Sequence, residues 1–192
     1  MNLSKAPDLV NLQTLSLSFV STTTASFTVH DIPTLPELSN LSSLHLTLSG
    51  DKRPLGFSSF SRLFLGLNRS GLKRLSLLNL IISASQLTII LDECPNLEEL
   101  YITISSRKAL RDCSKLENDR LKVFHANAPP DDGPTSDDLT ELARRMPSLD
   151  QIGSGTKVYE VWRSLGDKEE KVVELSRWGR ITVPAYFQIW RG

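Results

Sequence analysis

The sequence has no excess of either charge sign, few cysteines and no long apolar run. Its 22 Lys and Arg residues are balanced by 22 Asp and Glu residues, so it lacks the basic excess typical of a nucleic-acid-binding protein. No stretch reaches the roughly 18 apolar residues that a membrane-spanning helix requires. The first residues also lack the basic segment and apolar run of a secretory signal. These absences predict an intracellular protein, cytoplasmic or nuclear, whose partner is neither a nucleic acid nor a membrane.

Residues that could carry metal or nucleophilic chemistry are few and scattered. The cysteines, Cys94 and Cys113, are too few for a disulfide framework, although one disulfide between them stays an open alternative. The histidines, His30, His45 and His125, have no spacing typical of zinc ligands. No G-x-S-x-G nucleophile motif is present. The sequence therefore predicts no catalytic residue, no metal site and no cofactor.

What the sequence does contain is a repeated leucine pattern. It reads L-x-x-L followed by alternating apolar residues, and consecutive copies of its second leucine are 29, 31, 25, 24 and 28 residues apart. A regular return at such intervals is typical of repeat architectures. The residues at this position, called anchors below, are Leu15, Leu44, Leu75, Leu100, Phe124 and Ile152.

The alternation predicts a short strand in each copy, with the anchors on one face. One such strand cannot bury its apolar face alone, so the copies are predicted to stack into a parallel sheet. Parallel strands need crossover connections, and apolar residues three and four apart predict helices there. Ser83 with Gln86 fits a capping box that begins one of them, and Thr135 with Asp138 resembles one less closely, with Asp in place of Glu or Gln. The predicted helices lie in 57–67, 87–94, 107–116 and 139–146, whereas the connector 20–34 is predicted to be extended or irregular.

The predicted fold is therefore α/β: a solenoid of about six repeats over 1–156, with a concave parallel sheet and outer helices, and a C-terminal cap over 157–192. In the cap, 158–162 reads as a strand, and 172–175, 180–183 and 186–190 as strand or short helix. Trp162, Trp178 and Trp190 either pack on the last repeat or form an exposed aromatic patch. The N-terminal strand has no capping sequence before it, which favours a chain truncated there.

The alternation, the spacing and the phrase Cys94-Pro-Asn-Leu-Glu-Glu-Leu100 resemble leucine-rich repeats of the ribonuclease-inhibitor-like type, especially those of fungal F-box proteins. The resemblance covers roughly residues 7 to 155. It implies a binding module that recognises the substrate of an F-box type ubiquitin ligase. One feature departs from the family pattern, because no Asn or Cys follows an anchor by five residues. Val20, Ser49, Leu80, Ser105 and Pro129 stand at those positions.

Residues between the apolar strand positions are predicted to form a polar surface that binds another protein. Tyr and Arg are frequent hot-spot residues at protein interfaces. The alternatives are a merely solvated face, a scaffold or homodimer formed through the open N-terminal edge strand, and a small hydrolase-like enzyme using the serines and histidines of this face. The predicted partner-binding residues are Arg74, Ser76, Glu99, Tyr101, His125 and His45.

Overall fold

The structure is a computed structural model that describes residues 11–20, 40–49, 53–56, 60–61, 67, 69–113, 118–165 and 171–177. These residues form an α/β fold with one open mixed sheet that is mostly parallel, in the spatial order β1-β2-β4-β5-β6-β7-β8-β9, with β3 pairing with β4. The strands are β1 (Thr14–Val20), β2 (Ser43–Ser49), β3 (Arg53–Pro54), β4 (Arg74–Ile82), β5 (Glu99–Ile104), β6 (Val123–Asn127), β7 (Gln151–Ser154), β8 (Lys157–Leu165) and β9 (Lys171–Arg177). The helices are α1 (Ala84–Glu93), α2 (Arg107–Asp112) and α3 (Ser136–Arg145), with a short 3-10 turn at Pro130–Asp132.

The anchors all lie in register. In neighbouring strands, Leu15 pairs with Leu44, Leu44 with Leu75 and Leu75 with Leu100. Leu100 then faces Phe124, which faces Ile152. Each of these strand pairs is parallel, so the prediction that the copies stack as parallel strands is confirmed.

The same pair of backbone hydrogen bonds is found at the start of most of the parallel strands. The carbonyl of Gln13 accepts from the N–H groups of both Ser42 and Ser43, at 2.9 and 3.0 Å. The carbonyls of Ser42, Lys73, Glu98 and Lys122 repeat the arrangement in the following copies. Each accepting carbonyl belongs to the residue just before a strand. These hydrogen bonds therefore align the starts of neighbouring strands.

The core lies between the sheet and the helices. Leu44, Leu75, Leu100 and Phe124 are at most 1% exposed and belong to one apolar cluster. The same cluster contains the buried helix residues Leu87, Ile90, Leu91, Leu139, Leu142 and Ala143. All these helix residues therefore pack on the anchor face of the sheet, and the opposite face, called the polar face below, bears the residues between the anchors.

Both predicted capping boxes are present. The Ser83 hydroxyl accepts from the N–H of Gln86, whose side chain accepts from the N–H of Ser83. Thr135 and Asp138 make the same reciprocal pair at the start of α3. The helix α2 ends at Asp112, earlier than predicted. The predicted helix 57–67 and the connector 20–34 lie almost wholly outside the described residues.

One irregularity interrupts the alternation in β4. The register with β5 shifts between Leu77 and Ile81, and Asn79 adopts a φ of 60°. Asparagine tolerates this left-handed conformation better than most residues. Its side chain donates to the carbonyl of Leu48 at 2.8 Å, and its N–H donates to the Thr103 hydroxyl at 3.1 Å. An asparagine four residues after an anchor thus links β4 to both neighbouring strands.

The sheet continues into antiparallel strands at its C-terminal end. Gly155 and Thr156 form the turn between β7 and β8, and β8 pairs antiparallel with β9. The predicted strand at 158–162 is confirmed within β8, and residues 172–175, predicted as strand or short helix, form part of β9. Trp162 is 58% exposed, whereas Trp178, Trp190 and the predicted segments 180–183 and 186–190 lie outside the described residues.

Candidate protein-binding face

The polar face carries two rows of side chains that run across the strands. The first row follows the pairing Ser43, Arg74, Glu99, Val123 and Gln151. The second row follows His45, Ser76, Tyr101, His125 and Gly153 in the same strands. The six residues predicted to bind a partner therefore lie together, in adjacent rows of one face.

The two rows differ in exposure. The side chain of Arg74 is 63% exposed and that of Glu99 is 21% exposed. In the second row, Ser76, Tyr101 and His125 are only 4%, 2% and 3% exposed. The sequence predicts where these three residues lie but gives no sign that they are buried.

Arg74, Glu99 and Tyr101 form a polar network between β4 and β5. The Nε atom of Arg74 lies 2.8 Å from Oε1 of Glu99. The Tyr101 hydroxyl donates to Oε2 of Glu99 at 3.4 Å. The carboxylate is therefore shared, and its exposed partner is the Arg74 guanidinium.

The position of the His125 ring is fixed by a stacking contact, by two hydrogen-bonding partners and by close packing on Gly153. Its ring stacks on Tyr101 with centroids 6.4 Å apart and an angle of 22° between the planes. Its Nε2 atom lies 3.0 Å from the carbonyl oxygen of Gly155 and 3.1 Å from Oδ1 of Asn127. The ring occupies the space above Gly153, where an added Cβ would lie 2.2 Å from Nδ1.

Burial lowers the pKa of His125 to about 4, although its hydrogen bonds with Asn127 and Gly155 act in the opposite direction. The ring is therefore neutral near pH 7. Burial also lowers the pKa of the half-buried His45. His45 pairs in register with Ser76, whose Oγ is buried and has no hydrogen-bond partner among the described residues.

A second polar strip lies where the strands begin, and the candidate residues do not include it. Glu98 lies between two lysines, with its carboxylate 3.7 Å from Nζ of Lys73 and 3.2 Å from Nζ of Lys122. The hydrogen bond from Lys122 is the largest effect on the Glu98 pKa, which is lowered. The signal was present in the sequence, because Lys73, Glu98 and Lys122 all follow the first leucine of their copies.

The cysteines lie on the other side of the sheet. Cys94 and Cys113 are buried and free, each directly after a helix. Burial raises the pKa of the Cys94 thiol to about 12, so the thiolate required of a nucleophile is scarce.

Among the described residues, no three His, Cys, Asp or Glu side chains are grouped so that they could hold a metal ion. In that part of the chain, no helix has both the length and the apolar character needed to cross a membrane.

Comparisons of the chain with protein families, with curated proteins and with solved structures found no match. The arrangement of the described residues therefore carries the functional interpretation.

Proposed function

We propose that the chain is a leucine-rich-repeat solenoid that acts as a non-catalytic protein-binding module. One observation carries this proposal: the six anchors lie in register across parallel strands. Because one face of every strand packs against the same core, the residues between the anchors form continuous rows on the other face. Such rows offer a partner a broad surface and not a cleft.

Within this surface, Arg74 and Glu99 are the charged residues of the candidate set, and the Arg74 side chain is 63% exposed. They lie near the middle of the sheet, in β4 and β5. A guanidinium that already shares a carboxylate can turn to a carboxylate or carbonyl of the partner, and Arg is enriched at interface hot spots. The proposed partner is therefore a protein that presents charged groups of both signs, an acidic group for Arg74 and a basic group for Glu99.

A narrower proposal is that the chain recognises the substrate of an F-box type ubiquitin ligase. It rests on the resemblance of the repeats to those of F-box proteins and on no contact in the structure. The full-length gene product tests it directly. An F-box segment encoded upstream of residue 1 would support this proposal, and its absence there would contradict it.

The binding proposal can be tested with a photo-reactive amino acid. It replaces Thr47 on the polar face of β2 in one protein, and the exposed Lys108 of α2 in a matched control. After irradiation in extract of the source cells, the cross-linked proteins are identified by mass spectrometry. We expect discrete products from position 47 that are missing from position 108.

A charge reversal then assigns those products to the site. Arg74→Glu should abolish them, because it removes the cation and places a second carboxylate beside Glu99. Arg144→Glu, on the exposed side of α3, should leave them unchanged. Products that are the same at both positions, or that survive Arg74→Glu, would contradict the proposal. Light scattering of the purified protein tests the alternative of a homodimer.

A further inference from the structure

Trp162 in β8 is 58% exposed. Among the described residues, the only other large apolar side chain with such exposure is Leu165, at the end of the same strand. An exposed leucine is ordinary on a protein surface. Tryptophan carries a much larger apolar area, and it is enriched among the residues that dominate binding at protein interfaces. Covering the Trp162 ring with part of a partner would therefore be favourable.

The Trp162 ring lies on the polar face of the sheet. Glu160 pairs with Gln151, the last residue of the first row on that face. Trp162 is two residues further along β8, so its side chain is on the same side as that of Glu160. Val161, between them, belongs to the leucine core on the other side. The polar face therefore continues from the parallel strands onto β8 and β9.

The charged residues of β8 and β9 are separated between the two faces. Lys157, Arg163 and Arg177 occupy positions on the core side, where Arg163 donates to carbonyls at the end of α3. The polar-face positions of the two strands hold Glu160 and Glu174 and no basic residue. Both glutamates are exposed, and neither forms an ion pair among the described residues. This part of the polar face is therefore anionic.

The two carboxylates flank the indole ring. Glu174 pairs with Trp162 across the strands, which places their Cβ atoms about 5 Å apart. Glu160 is two residues away along β8, about 7 Å. The face of an indole ring carries partial negative charge and attracts cations. One cation above the ring can therefore contact the indole and a carboxylate at the same time.

Arginine suits this arrangement better than lysine. A guanidinium is planar, so it stacks on an aromatic face while its N–H groups reach carboxylates at the edge of the ring. A lysine ammonium is a compact charge that holds its water more strongly. An acidic partner would be repelled by Glu160 and Glu174, and an apolar one would remove water from both carboxylates without pairing them. The charges therefore favour a guanidinium.

We propose that Trp162, Glu160 and Glu174 form a binding site for an arginine side chain of the protein partner. The inference rests on the proposed function in one respect, namely that the arginine belongs to a protein. The site lies three strand spacings, about 14 Å, from Glu99 in β5. A partner that contacts Arg74 and Glu99 would thus place its arginine at a separate position, nearer the C-terminal end of the sheet.

Two capped tripeptides test the site without a protein partner. One has arginine between two glycines, and the other has citrulline, which has nearly the same shape and no charge. Each is titrated into the full chain at constant ionic strength and followed by NMR. We expect saturable shifts of the Trp162 indole N–H and the Glu174 backbone N–H, with affinity roughly fivefold or more higher for the arginine peptide. No saturable shift, or equal affinities, would overturn the proposal.

Matched substitutions assign the binding to these side chains. Trp162→Leu should abolish it, because leucine is apolar but has no aromatic face. Glu174→Gln should weaken it about two- to fivefold, since the charge is lost while the size is kept. Glu141→Gln, at a carboxylate of α3 whose side chain is 62% exposed, should leave it unchanged. Binding that persists in Trp162→Leu, or that weakens equally in Glu174→Gln and Glu141→Gln, would refute the site. Unshifted amide signals elsewhere confirm folding.

The arginine site and the proposed function fail separately. Specific cross-links from position 47 together with no binding of the arginine peptide would refute the site alone. Binding of the peptide at Trp162 without any specific cross-link would support the site and contradict the binding role proposed for the centre of the polar face.

Discussion

Gly153 is the residue at which the sheet makes room for the His125 ring. A Cβ there would meet Nδ1 at 2.2 Å and Cε1 at 2.8 Å, with the carbonyl oxygen of Lys157 at 3.1 Å. The ring cannot turn aside without leaving Tyr101 and the Gly155 carbonyl. The requirement at this position is therefore steric and not conformational.

Gly153→Ala should destabilise the protein by about 1–3 kcal/mol, the usual cost of overpacking a filled site. Urea unfolding of the purified variant measures this free energy. Gly56→Ala is the matched control, because a Cβ at Gly56 would have no atom within 4 Å, and its effect should stay within about 0.5 kcal/mol. Equal stabilities for the two variants would contradict the packing described here.

His125 should titrate far below an ordinary histidine. Burial lowers its pKa to about 4, so the folded state disfavours the proton that the unfolded chain accepts near pH 6.5. Stability is then full above about pH 6.5 and falls as the pH decreases toward 4, because in that window the unfolded state binds more protons. NMR titration of the ring carbons measures the pKa. A value near 6.5 for His125 would show that the ring is not buried.

At the scale of elements, Arg163 joins the last antiparallel strands to the repeats. From β8, its guanidinium donates to the carbonyls of Leu149 and Met146 at 2.7 and 2.8 Å, and to that of Ala143 at 3.2 Å. Two of these carbonyls lie at the end of α3, where the last helical acceptors lack partners within the helix. One side chain therefore caps α3 and fixes β8 beneath it.

Arg163→Ala should lower the free energy of unfolding by about 1–2 kcal/mol, since hydrogen bonds from a charged donor are lost at a partly exposed site. Arg163→Lys should recover little, because an ammonium lacks the planar fork that reaches three carbonyls. Thermal unfolding compares both with Arg144→Ala, whose exposed pair with Glu141 should contribute at most about 0.5 kcal/mol. A fully stable Arg163→Ala protein would mean that β8 is held in another way.

The elements that sequence patterns predicted best are those with a strong local signal. The capping boxes at Ser83 and Thr135 identified the starts of α1 and α3, because both partners of each box lie within four residues. The shift in β4 could not be predicted in this way. Leu77 to Ile82 is apolar on both sides of Asn79, so period-two alternation gives no preferred face there.

For the whole molecule, the regular spacing of the anchors predicted which residues share a row but not which are exposed. Arg74, Ser76, Glu99 and Tyr101 were placed correctly in adjacent rows, because register follows from the repeat. The burial of Tyr101 and the bonds of Arg163 depend on chain segments far away in the sequence. No local pattern encodes such contacts, so only the folded structure reveals them.

Each copy of the leucine pattern is one strand, stacked in register on the next. Nuclear Overhauser effects between assigned Leu, Ile and Phe side chains and backbone amides of neighbouring strands test it most directly. We predict contacts that link Leu44 with Leu75, Leu75 with Leu100 and Leu100 with Phe124, as the pairing requires. Anchors that contact only their own copy, or that face their neighbours two residues out of register, would contradict the account.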